Sequence, residues 1–232
     1  MSHGSTQRLI QMLTEVDPPS IEKLFMRHGI DPRYGVKRLV DEILEDGSNS
    51  LLSLIGFEKK GYAEIVQDVA DNLGVPLDDV DKENEEQIEH AILAILAARY
   101  LAENATAPKI VSTIKEKIGV SPLGGKAIKL LLAKSKKDQA LAFKDMDPQE
   151  MLQVLGSILP DQGSKVEGRI FDAIAASTVA GVAFFPVIAA GLLAVRTTGP
   201  AYRKTVPSII AIAFLRLKIL ADGKRLRSNN SS

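Results

Sequence analysis

Apolar residues recur at intervals of three and four along most of the chain, and this spacing predicts one helix after another. Ser5 or Thr6 is placed to cap a first helix reaching about Val16. Ser20 is placed to cap a second, which Gly29 ends in the left-handed conformation that glycine tolerates best. Asp31-Pro32 opens a third, carrying Leu39, Val40 and Leu44 to Gly47. Over 62–73, Ile65, Val69 and Leu73 form one stripe with Val66 beside it. Glu64, Gln67, Asp68 and Asp71 face away from that stripe, and Gly74 closes the helix. Residues 82–103 read as a longer helix with Ile88, Ile92, Ile95 and Leu96 on its apolar side. Glu83, Glu85, Glu86 and Glu89 crowd its front, where the helix dipole favours negative charge. Pro108 lies in the first turn of the next helix, with Ile110, Val111, Ile114 and Ile118 on one face. A glycine-rich turn over 119–125 leads into a lysine-rich helix to about Phe143, and Asp147-Pro148 starts a short one ended near Pro160. No stretch alternates with a period of two. The expected fold class is therefore all-α, a multi-helix bundle with a C-terminal apolar helical hairpin.

The C-terminal third breaks the amphipathic pattern. Residues 161–168 read as a linker between a helical region, 1–160, and a basic apolar hairpin, 169–232, packed on it. Ala173 to Val195 is a run of 23 residues without a charge, interrupted by Gly181 and Pro186. As a helix it would measure about 35 Å, against roughly 30 Å for a bilayer core. Gly199-Pro200 turns the chain, and a second apolar run, Thr205–Leu215, follows with 11 residues. That is too short to span a bilayer as a helix. Arg203 and Lys204 fence it on one side, Arg216 and Lys218 on the other. The pair of runs is either a marginal span plus a half-length segment, or a buried hairpin of a soluble core. Thr205 is placed to cap the second helix, with Pro207 in its first turn, where a missing N–H costs little. Tyr202 and Arg203 then sit at the hinge. There they either bond the end of the preceding helix or grip a phosphate or a partner's carboxylate.

Charge changes the picture more than composition does. The chain has 232 residues, 29 Lys+Arg and 29 Asp+Glu, with 45% hydrophobic and 25% charged residues, a globular balance. The neutral total hides a split: residues 1–90 carry 9 basic against 19 acidic residues, and residues 91–232 carry 20 against 10. Such asymmetry implies docking of the two halves on each other, or a basic face turned to an anionic partner. Aromatics are 5% and Trp is absent, so there is no interleaving for base stacking, and nucleic acid is not an expected partner. There is no Cys, which removes thiolate metal sites and cysteine nucleophiles and fits a reducing compartment. The N-terminus lacks a secretory pattern, and Gly does not stand at position 2 for myristoylation.

Candidate chemistry thins out on inspection. Asp79, Asp81, Glu83 and Glu86 suggest a calcium loop, but the sixth and twelfth positions from Asp79 hold Asn84 and His90 instead of Gly and a carboxylate. Gly124-Gly125-Lys126-Ala127 lacks the spacing and hydroxyl of a phosphate loop. His3, His28 and His90 stand far apart, each without a local carboxylate in zinc or triad spacing, and read as surface or half-buried helix positions. No serine sits in a G-x-S-x-G elbow. No catalytic, metal or cofactor-binding set is expected, and no small-molecule substrate.

Two blocks carry a family resemblance. Tyr62-Ala-Glu-Ile-Val-Gln-Asp-Val-Ala-Asp-Asn-Leu-Gly-Val75 is one, and Gly199-Pro-Ala-Tyr-Arg-Lys-Thr-Val-Pro-Ser-Ile-Ile-Ala-Ile-Ala-Phe-Leu-Arg216 is the other. Together they resemble the bacterial YaaW-like proteins, the UPF0174 group, over roughly residues 40–220. The second block is the more specific; region 105–165 does not match the family clearly, and the first forty residues match it poorly. The family is uncharacterised, so the resemblance implies no reaction. Its ubiquinol–cytochrome c chaperone-like label implies a soluble helical protein that engages another protein's folding or assembly. The expectation is a non-enzymatic, cytoplasmic interaction protein docking a protein partner through its C-terminal hairpin. Tyr202, Arg203, Lys204, Arg216 and Lys218 are the candidate contacts. The alternative is a membrane-active protein that inserts residues 173–215 into anionic bilayers, peripheral to the inner membrane.

Overall fold

The computed structural model describes residues 3–48, 60–77, 80–104, 146–152 and 202–229. The helices expected at 108–118 and 126–143, the turn between them, the linker 161–168 and the uncharged run 173–195 lie outside the described residues. Among the described residues the fold is all-α, with no strand. Its helices are α1 (His3–Thr14), α2 (Pro18–His28), α3 (Gly35–Ser48), α4 (Tyr62–Asn72), α5 (Glu85–Asn104) and α6 (Tyr202–Asn229).

Local chemistry explains most of the boundaries. Asp17, not Ser20, caps α2: its carboxylate accepts the Ser20 N–H at 3.2 Å, and Pro18-Pro19 follow, where no N–H is needed. Gly29 ends α2 with φ +67°, as its position predicts. The third helix does not start at Pro32. Pro32–Tyr34 forms a separate 3-10 turn capped by Asp31, and Gly35, at φ +77°, breaks it from α3. Gly61 has no side chain with which to cap α4. The cap is assembled from elsewhere: Glu64 accepts the Gly61 N–H at 2.6 Å, and Ser5 of α1 accepts the Ala63 N–H at 3.3 Å. Ser5 therefore caps a neighbouring helix and lies inside α1. Asn84 caps α5 through its bond from the Gln87 N–H at 3.2 Å. Asp147 opens a helical turn over 148–152, accepting from the Gln149 N–H at 2.7 Å.

The C-terminal helix is longer than the pattern suggests. It starts at Tyr202 rather than at a Thr205 cap, so Pro207 lies inside it. Pro207 has no N–H to give the carbonyl four residues back, that of Arg203. Helix persists through this gap because its sides are packed. Every residue from Thr205 to Leu217 is buried, and α6 lies against α5, α3, α2 and α4. It is apolar all round because other helices surround it. Val206, Ile209, Ile210, Ile212, Phe214, Leu215 and Leu217 are each at most 3% exposed. Full burial of such side chains stabilises by about 1.5–3 kcal/mol apiece, an upper figure, which exceeds anything a surface ion pair adds. The second apolar run is thus core of the bundle. Close approach helps elsewhere too: a Cβ on Gly47 of α3 would sit 2.7 Å from Ile65 Cδ1 of α4.

Candidate functional site

Two buried polar clusters meet on α6. The first surrounds Arg216, three turns into the buried stretch. Glu85 and Glu89 lie one turn apart on α5, on the same side as Ile88 and Ile92, and both are buried. They are not the solvated helix front that their acidic neighbourhood suggests. Arg216 Nε donates to Glu89 Oε2 at 2.6 Å and Nη2 to Oε1 at 3.3 Å, while Nη1 donates to Glu86 at 3.0 Å. The Tyr62 hydroxyl of α4 donates to Glu89 Oε1 at 2.6 Å. Next to them, Arg8 of α1 grips Glu85 with two parallel bonds of 2.7 and 2.6 Å. Four helices therefore converge on one set of charges.

The electrostatics follow from burial opposed by pairing. Burial raises the Glu89 carboxyl above its ordinary value, and Arg216 and Tyr62 act against that rise. Burial works against the Arg216 charge, but the Glu89 carboxylate outweighs it and holds the guanidinium protonated. Burial, then Glu89, pushes the Tyr62 hydroxyl well above the usual phenol range. For Glu85 burial also pulls upward, but the Arg8 bonds and the other contacts together bring it below its ordinary value.

The second cluster surrounds His28, at the end of α2. Its Nδ1 lies 2.9 Å from Asp46 Oδ2 of α3, and its Nε2 lies 2.8 Å from Ser208 Oγ of α6. The Ser208 hydroxyl also lies 2.8 Å from the Lys204 carbonyl, and Lys204 Nζ lies 3.7 Å from the same Asp46 oxygen. The His28 side chain has no exposed surface. Burial lowers its pKa, Asp46 acts against that, and Lys204 and Arg27 add to the lowering. Serine, imidazole and carboxylate stand in the order that activates a hydroxyl for attack. Ser208 is fully buried, however, so no substrate carbonyl reaches its Oγ from solvent in this conformation.

The residues expected to contact a partner fall differently. Tyr202 and Arg203 occupy the first two positions of α6; their side chains lie outside the described ones. Lys204 is half-exposed beside Asp46. Arg216, expected at a contact surface, is 5% exposed and points into the Glu89 cluster. Lys218 reaches Asp17 at 3.3 Å. These three cations pair α6 with acids of α3 and α5 and with Asp17, the cap of α2. Both clusters went unread in the sequence. His28, Asp46 and Ser208 come from three separate helices, and the one signal they leave is a serine inside an apolar run. Glu89 leaves a similar signal, an acid in register with Ile88 and Ile92. Among the described residues no helix is long and apolar enough to cross a membrane.

Over 209 residues the chain is 27% identical to the UPF0174 protein of Helicobacter pylori strain J99, covering 85% of this chain and 95% of that one. No family model matches the chain. No solved structure matches it.

Proposed function

We propose, from the likeness to the UPF0174 protein, a non-enzymatic, adaptor- or chaperone-like protein that docks a protein partner through its C-terminal apolar pair. The observation that carries this reading is the burial of α6. Thr205–Leu217 is taken up by the bundle, so it serves as an anchor and not as the contact surface. The uncharged run 173–195 ends six residues, 196–201, before α6 begins in the sequence. A run of that length and composition gains most when something apolar covers it. The partner in this reading is a protein with an apolar surface, held at the run while α6 fixes its base.

A second reading keeps the same run and places an anionic bilayer over it. Its support is the 23-residue length. It draws less on the basic flank, because Lys204, Arg216 and Lys218 already pair with acids of the bundle. Photo-crosslinking from position 184 in cells tests the two together with vesicle flotation. The expected result is one reproducible protein adduct, lost in Ala180→Asp, and no flotation with anionic vesicles. Flotation without a protein adduct would replace the first reading by the second.

A further inference from the structure

The His28 cluster is used by neither reading above, yet it ties the first turns of α6 to α2 and α3. Its hydrogen atoms can be assigned from chemistry. The Asp46 carboxylate only accepts, so a neutral His28 carries its proton on Nδ1 and donates it to Asp46. Nε2 is then an acceptor, and the Ser208 hydroxyl donates to it. When His28 takes a second proton, Nε2 becomes a donor to Ser208 Oγ. The serine proton must then turn away, and the Lys204 carbonyl at 2.8 Å receives it. The one covalent change is the new N–H bond on Nε2, made with a proton from solvent.

The cost of that protonation lies first in the burial of the ring, which Asp46 opposes, and then in the cations facing it. From α2 the neighbour is Arg27, from α6 it is Lys204, and from α3 it is Asp46. Arg27 is itself lowered by burial. One carboxylate oxygen, Asp46 Oδ2, already serves both His28 Nδ1 at 2.9 Å and Lys204 Nζ at 3.7 Å. A charged imidazole turns this into two cations competing for one oxygen, with a third cation behind.

We propose that His28, Asp46, Ser208 and Lys204 form a proton-operated latch on the N-terminal end of α6, closed while the imidazole is neutral and loosened when it is charged. Acid weakens the hold on Lys204 and frees the first turns of α6, while the Arg216 cluster keeps the rest in place. Any effect of the latch on residues 173–201, which precede this end in the sequence, rests on the docking reading. The latch itself does not.

The sign follows from linkage. His28 is lowered in the closed state and takes its ordinary value near 6.5 once exposed, so the open state binds more protons in acid. Opening is therefore favoured as pH falls through about 6.5, by up to about tenfold per pH unit until His28 is charged in both states. Glu89 is shifted the other way, and its contribution cancels when wild type is compared with a His28 variant.

Amide hydrogen exchange of the full chain, corrected for intrinsic rates, tests this at pH 7.5 and 5.5. The Val206, Ser208 and Ile209 amides should lose protection at pH 5.5 in wild type, while Leu215 and Leu217 do not. His28→Gln should show the same protection at both pH values. Equal protection in wild type at the two pH values, or the same loss in His28→Gln, would overturn the latch. If His28→Gln does not fold, the imidazole is titrated by NMR in the wild-type chain. A pKa below 6.5 supports the latch, and one at or above 6.5 overturns it. None of these readouts depends on a partner, so failure of the latch and failure of the docking reading are told apart.

Discussion

The Arg216 and His28 clusters hold the same helix by different means. Both are buried, and both join α6 to two or more other helices. Around Arg216 the charge is compensated by Glu89 and Glu86, and a guanidinium keeps its proton at any ordinary pH. The guanidinium half of that tie does not titrate near neutrality. Around His28 the group that joins the helices is one whose ordinary pKa lies close to neutral. Its serine neighbour has a second acceptor ready, the Lys204 carbonyl. Burial alone thus does not make a polar group responsive. Responsiveness needs a titratable ring, a hydroxyl that can turn, and a carboxylate shared with another cation.

The contrast is tested most severely at its charged end. Glu89→Ala should lower the unfolding free energy by about 3–5 kcal/mol in urea denaturation, since Arg216 stays buried without its carboxylate. A loss under about 1 kcal/mol would mean that Arg216 escapes to water and that the tie is superficial. The double variant Glu89→Leu with Arg216→Met should recover most of the loss, because apolar groups of similar volume replace the pair. Tyr62→Phe comes next, at about 1.5–3 kcal/mol for a hydrogen bond to a charged group. In the Glu89→Leu/Arg216→Met background the same change should cost little; an undiminished loss would show that the hydroxyl matters through something other than Glu89.

Gly47→Ala tests packing rather than charge. Its Cβ would lie 2.7 Å from Ile65 Cδ1, and thermal denaturation should show a loss of about 1–3 kcal/mol. An unchanged midpoint would mean that α3 and α4 separate easily, and that the clusters carry more of the fold than the apolar core does. Asp17→Ala is the smallest, about 1 kcal/mol, for the α2 cap that also receives Lys218. A larger effect would make Lys218 a third tie on α6.

Much of the fold was legible because helix period and punctuation are local. Gly29, Gly74 and Asp147-Pro148 mark ends and starts where the structure has them. The stripe Ile65, Val66, Val69 and Leu73 is buried as its spacing predicts. The misreadings are places where a neighbour supplied what local sequence lacked. Asp17 outcompeted Ser20 as a cap because two prolines followed it. Ser5 was spent on α4 because Gly61 had nothing to offer. Pro207 was carried inside α6 because packing on several sides outweighed one lost bond. The pair of apolar runs left a buried hairpin and a bilayer both open, since pattern records that a position is apolar and not what covers it. The polar clusters were hidden for the same reason. His28 and Ser208 lie 180 residues apart, and nothing near either one names the other.

The central claim is that α6 is core, and hydrogen exchange of the Ile212–Leu217 amides at neutral pH across a urea series tests it most directly. The account predicts that these amides exchange only through global unfolding, with the free energy and urea dependence of the whole bundle. Exchange through a low-energy opening, insensitive to urea, would contradict it.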